Sequence, residues 1–196
     1  MSDGDGRREG RQRARTDFRF DDARLCFAFA GTLADRGKDV QVERLAGPED
    51  LSRWGVESGC TTVAPSCNEA ELEGARRLRE AIQRIGVALA EGAPADHEDV
   101  AVVNGAAAEP TSVPALSADA ESVQWDGEGV AAVLSMVARD LIELCGSEQR
   151  TRVRICGNPD CGTPFVDTSR AGARRWCSMK TCGALVKKRA YRAKAK

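Results

Sequence analysis

Apolar residues in the middle of the chain recur at three- and four-residue steps, the spacing that gathers them on one face of an α-helix. The longest such run is Leu72, Ala75, Leu78, Ile82, Ile85 and Leu89. Ser66-Cys67-Asn68-Glu69 in front of it predicts a capping box, and Ala93-Pro94-Ala95-Asp96 predicts a break behind it. Val100, Val103 and Ala107 predict a shorter helix. Val130, Val133, Leu134, Val137, Leu141 and Cys145 predict a last one, opened by Asp126 and closed by Gly146. Upstream, Leu25–Ala30 is an apolar run of helical length. Gly47-Pro48-Glu49-Asp50 reads as a helix start, with proline in the first turn and acids at the positive end of the dipole. The periodicity fails in two places. Phe18-Arg19-Phe20 predicts a short strand, and Val113–Trp125 supplies one or two more.

Beyond residue 150 the pattern changes, and four cysteines replace the apolar faces. Cys156 and Cys161 form one Cys-x4-Cys pair, and Cys177 and Cys182 form a second of equal spacing. Two such pairs can converge on one tetrahedral zinc ion, and four thiolates leave no open position for substrate. The ion would therefore be structural. Two disulfides or four unrelated thiols are the alternatives. Gly157-Asn158-Pro159-Asp160 is rich in turn formers, which suits a knuckle that aims both sulfurs one way. Thr163–Asp167 predicts a strand, Ser169–Gly172 a turn, and Phe165 and Trp176 an apolar cover for the metal. Ser178 is placed to cap a basic helix that runs on from Cys182. About forty residues bury too little surface to fold without such a staple.

Charge divides at the same boundary. Residues 151–196 hold twelve Lys or Arg against Asp160 and Asp167, a net of +10, while the rest of the chain nets −11. Four thiolates and one zinc ion would lower the first figure to about +8. A compact basic module of this kind points to a polyanion, most often nucleic acid. The alternative is a solvated tail, or one folded onto the chain's own acids.

Composition is sufficient for one ordinary domain beside this module, with 42% hydrophobic residues. No stretch approaches the apolar length of a membrane span. Met1–Arg15 is rich in Gly, Arg and Asp and lacks the apolar centre of a signal peptide, so disorder and a reducing, cytoplasmic setting are expected. Little in the body points to catalysis, and no enzyme activity is expected. His97 is the one histidine and sits in an acidic stretch. Cys26 and Cys145 fall in apolar runs, and Cys60 and Cys67 in a polar loop, where ordinary thiols are expected. Glu69, Glu71 and Glu73 read as a solvated face, and Trp54 and Trp125 as core anchors. The fold class is mainly α with minor strands (α+β). The division is 1–15 disordered, 16–150 helical body, and 151–196 a four-cysteine zinc finger built as knuckle, short hairpin and basic helix.

The run Cys156…Cys161…Phe165-Val-Asp167-Thr-Ser169-Arg170…Arg174-Arg175-Trp176-Cys177-Ser178-Met179…Cys182-Gly183 resembles the CGNR zinc finger of bacterial regulators. The body resembles the ABATE domain that precedes that finger, at Leu25-Cys26-Phe27…Phe29, Leu45…Pro48-Glu49-Asp50-Leu51…Trp54, Leu78-Arg79-Glu80-Ala81 and Asn104. The resemblance implies a stress-related transcriptional regulator that binds duplex DNA through the finger. Its body would form a homodimer or sense a small-molecule effector. Lys187, Lys188, Arg189 and Arg192 would face the groove, while Arg170, Arg174 and Arg175 held phosphates. One departure falls on the naming motif, where Ala184 and Leu185 stand in place of Asn and Arg. A zinc-stapled protein-interaction or RNA-binding module is the competing class.

Overall fold

The computed structural model describes residues 17–20, 24–126 and 129–194, with only the backbone of Asp126. The expected disorder of residues 1–15 lies outside them. In chain order, α1 (Leu25–Ala30) is followed by a two-residue pairing of β1 (Leu33–Ala34) with β2 (Val42–Glu43). Then come α2 (Pro48–Glu57), α3 (Glu69–Glu91) and α4 (His97–Ala108). A hairpin of β3 (Val113–Leu116) and β4 (Val123–Asp126) leads to α5 (Gly129–Gly146). A 3₁₀ turn (Glu148–Arg152) then leads to β5 (Val153–Ile155), which pairs antiparallel with β6 (Pro164–Val166). A single wide turn (Met179–Gly183) opens α6 (Ala184–Lys194). This is the mainly helical α+β architecture expected.

The helical faces bury as their spacing requires. Leu72, Ala75, Leu78, Ile82 and Ile85 of α3 meet Val130, Val133, Val137 and Leu141 of α5 in one core, with α1 beneath them. Cys26, Phe27 and Phe29 of α1 are buried there, and Trp54 packs edge-on to Phe29 with ring centroids 4.9 Å apart. Pro48 occupies the first turn of α2, where its missing N–H costs no hydrogen bond.

Several local expectations are corrected. The cap of α3 is Asn68, not Ser66: Asn68 Oδ1 accepts from Glu71 N at 3.0 Å, and Glu71 Oε2 accepts from Asn68 N at 2.8 Å. The capping box therefore lies two residues further on. Asp126 ends β4 and does not open α5. Phe18–Phe20 forms no strand; the two rings pack edge to face at 6.4 Å, and Phe18 lies under the Arg53 guanidinium. Val100 of α4 is exposed, whereas Asp99 is buried and accepts from Arg84 Nε at 2.8 Å. Trp125 is only half-buried, against the 61–65 segment, so Trp54 alone is a core anchor of the pair.

The hairpin of the C-terminal segment differs most from its expected form. Its two strands flank the first cysteine pair, so the knuckle is the loop of the hairpin and does not precede it. Val153 and Val166 face inward and join the core of the helical body. The approach is close. A Cβ on Gly86 of α3 would lie 2.6 Å from Pro164 and 2.8 Å from Phe27, and one on Gly37 would lie 1.9 Å from the Pro159 carbonyl oxygen. Only glycine admits this seam. Gln83 Nε2 donates to Gly162 O at 2.8 Å, Gly37 N donates to Asp160 O at 3.2 Å, and Lys38 Nζ lies 3.6 Å from the Asp160 carboxylate.

Candidate metal centre and basic helix

The knuckle brings Cys156 and Cys161 together by backbone economy. Cys156 N donates to Thr163 O across the base of the hairpin at 3.1 Å, and Cys161 N donates to Asn158 O at 2.9 Å. The second pair is carried over by Gly157 N, which donates to Arg175 O at 2.7 Å. Ser178 caps the wide turn as expected, its Oγ accepting from Thr181 N at 3.3 Å, and this fixes Cys182 one turn after Cys177.

The result is a cluster of four sulfurs all within 4.8 Å of one another. Cys161 and Cys177 Sγ are 3.7 Å apart, and Cys177 and Cys182 Sγ are 3.6 Å apart. Tetrahedral zinc with bonds near 2.3 Å requires an edge of about 3.8 Å. None of the eight cysteines is in a disulfide. The donor set, four sulfurs at this spacing, fits zinc and no oxygen-seeking cation. These cysteines form a site for one structural zinc ion. Cys177 N lies 3.5 Å from Cys156 Sγ and Asn158 Nδ2 lies 3.6 Å from Cys182 Sγ, N–H groups that stabilise thiolate charge. Hydrogen bonds from Cys156 and then Cys177 pull Cys161 down to about 7. Those from Cys156, Cys161 and Cys177 pull Cys182 down further. Sharing those protons pushes Cys156 and Cys177 up. Bound zinc would displace the protons of all four.

Of the expected apolar cover, Phe165 is buried beside the sulfurs and Trp176 is half-buried. Residues given no such role from the sequence do the rest. Asp167 is fully buried: Oδ1 accepts from Ser169 N and Oγ at 2.9 and 2.6 Å, and Oδ2 accepts from Arg174 N at 2.9 Å. The Ser169 hydroxyl is the main cause of its lowered pKa. Asp-x-Ser before a glycine turn is an Asx-turn pattern, so that signal was present in the sequence.

The basic residues occupy three settings. Arg174 Nε donates to Trp176 O at 2.9 Å, its Nη2 donates to Cys177 O, and its guanidinium lies 5.3 Å from the Phe165 ring centre. It braces the zinc loop. Arg170 and Arg175 are exposed, the latter 5.4 Å from the Trp176 ring centre. Lys187, Lys188, Arg189 and Arg192 lie along α6, which has no buried residue, and Arg189 is paired with Asp160 of the knuckle. Leu185, the second residue of this helix, is half-exposed. His97 is the exposed first residue of α4, and Cys26 and Cys60 are buried as ordinary thiols.

The family model of ABATE, described as "Putative stress-induced transcription regulator", matches residues 23–148. The chain belongs to the ABATE family. The CGNR zinc finger model matches residues 152–195, the segment that carries the four sulfurs. No curated protein matches the chain. Among the described residues of this ABATE protein, no helix is long and apolar enough to cross a membrane.

Proposed function

We propose that this protein is a DNA-binding transcriptional regulator whose zinc finger lays α6 against duplex DNA while the ABATE body senses a small ligand or pairs with a second copy. One observation carries the reading. A helix with no buried residue, bearing Lys187, Lys188, Arg189 and Arg192, projects from a centre held rigid by four sulfurs and the body's own core. An exposed basic helix on a rigid base meets phosphates at little entropic cost. Arg170 and Arg175 flank it as further phosphate donors. Arg174 contributes by holding the loop, since its guanidinium is spent on the Trp176 and Cys177 carbonyls. The chain carries no catalytic role in this reading.

The test is duplex binding by the zinc-loaded full chain as salt is raised. With about five phosphates neutralised, log affinity is expected to fall against log salt with a slope near −4 to −5. Arg175→Ala should flatten that slope by about one unit on every sequence. Asp160→Asn releases Arg189 and should steepen it by about the same amount. With Ala184 and Leu185 in the motif, preference for any one site should be modest. No binding even at low salt would overturn the reading in favour of a protein-interaction module, and binding to single-stranded RNA alone would move it to RNA.

A further inference from the structure

The two long sides of α6 carry different chemistry. Leu185 and Arg189, four residues apart, mark the side turned to the finger. Leu185 lines the space beside Cys177 and Cys182, and Arg189 is paired with Asp160 of the knuckle. Arg192, three residues on from Arg189, continues that side. With about 3.6 residues per turn, the opposite side collects Ala184, Lys187, Lys188, Tyr191 and Lys194. Tyr191 stands in its middle, with Lys187 and Lys188 one turn before it and Lys194 one turn after. It is the chain's single tyrosine, and at 76% it is the most exposed large apolar side chain among the described residues. Nothing in the fold requires a ring there, since α6 buries no residue. An aromatic ring held in water at the centre of a cationic face suits an interface with a polyanion, where ring and charge act together.

We propose that the Lys187–Tyr191–Lys194 side of α6 is the one that enters the major groove, and that Tyr191 sets the base preference by packing its ring on the C5 methyl group of thymine. The inference rests on the duplex-binding reading above and adds which side of the helix meets DNA and what that side reads. A major groove about 12 Å wide admits an α-helix. The lysines, on long flexible stems, reach phosphates around a ring that points at the groove floor. The residue types divide the work. Lysine is a hydrated point charge that neutralises phosphate without reading sequence. Ala184, on the same side, offers one methyl group close to the backbone. Among the described residues Tyr191 is then the one side chain on this side able to contact a base edge. Apolar contact in the major groove selects the thymine methyl, which the other three DNA bases lack. Arginine is the usual reader of guanine, and both arginines of α6 lie on the side turned to the knuckle.

The probe is a short A·T-rich duplex, compared with the same duplex carrying uracil in place of thymine, on the zinc-loaded full chain. The two differ by the C5 methyl alone. The thymine duplex should bind about three- to fourfold tighter, the worth of one methyl group taken out of water. A G·C-rich duplex should gain by a similar factor when 5-methylcytosine replaces cytosine. Tyr191→Phe keeps the ring and should keep both ratios. Tyr191→Ala should bring them to about one with the salt slope unchanged, and zinc content and melting temperature should hold because the ring packs on no core. Lys187→Gln should do the reverse, flattening the slope by about one unit and keeping the ratios. A thymine-to-uracil ratio near one in the wild type, or one that survives Tyr191→Ala, would overturn the proposal and leave duplex binding standing. A larger loss by Tyr191→Ala on single-stranded DNA than on duplex would also overturn it, since the ring would then be a platform for unpaired bases. Absence of any duplex binding at low salt would remove the regulator reading and this inference with it.

Discussion

The helical body and the zinc finger reach order by opposite routes. The body distributes its stability over many side chains, with Trp54, Phe27, Phe29, Leu72, Ile82 and Leu141 all at or near zero exposure. The finger concentrates its stability in four sulfurs and one buried carboxylate, Asp167. Graded damage is therefore expected in the body and all-or-none damage in the finger. The seam between them modifies the contrast. Val153 and Val166 belong to the body's core although the chain reaches them only after the body's helices are complete.

The strongest way to break the comparison is to remove the metal. Structural zinc is worth on the order of 10–16 kcal/mol in small fingers. Cys156→Ser is expected to take metal analysis from one zinc per chain to near none, while Cys60→Ser retains it. Circular dichroism should show the body still helical after chelation, melting lower because Val153 and Val166 have left its core. An unchanged melting temperature would show that the seam carries no energy.

Trp54→Ala strikes the distributed side. A buried tryptophan truncated to alanine costs about 3–5 kcal/mol. Denaturant unfolding should register that loss, and zinc content should hold in the native state. Concurrent loss of zinc would mean that the finger leans on the whole body and not only on the seam.

Gly86→Ala tests the seam itself. The added methyl meets Pro164 and Phe27 at distances no Cβ tolerates, and overpacking of this kind costs about 1–3 kcal/mol. The expected signature is faster loss of zinc to a chelator with the helical content kept. A chelation rate equal to the wild type would uncouple the two regions.

The smallest effect is electrostatic. Partial burial would raise the Glu80 pKa, but hydrogen bonds from Arg36 and then charge from Arg36 and Arg79 outweigh it and lower it. A carboxylate lowered in the folded state adds stability above its unfolded pKa, near 4.3, and loses it as pH falls through the folded value. Glu80→Gln should therefore flatten the melting temperature against pH between about 5 and 3. A profile parallel to the wild type would assign acid sensitivity to other groups, Asp167 and the zinc thiolates among them.

The helices were legible in the sequence because their faces repeat over several turns and small errors average out, as along α3 from Leu72 to Ile85. The zinc ligands were legible because spacing alone restricts them. Single-residue signals fared worse. Ser66 and Asn68 both stand three residues before an acid, and only the chain's entry into α3 selects Asn68. Phe18 and Phe20 alternate like a strand but find rings to pack on and no strand to pair with. The partner of β6 was hidden because pairing across the knuckle leaves no mark in local composition. The burial of Arg44 was invisible for the same reason: nothing near Glu43 or Leu45 tells which arginine the fold will strip of water.

The seam also has a meaning in time. During synthesis the N-terminal portion of a chain condenses first, and here that portion is complete in helices but not in core. Until residues 153–166 leave the ribosome, the groove over Gly86 and Phe27 stays open to water, and it closes only when Pro164 settles onto it. A chain truncated in that interval would carry finished helices and a sticky open face, the mark by which quality control distinguishes an incomplete molecule from a whole one.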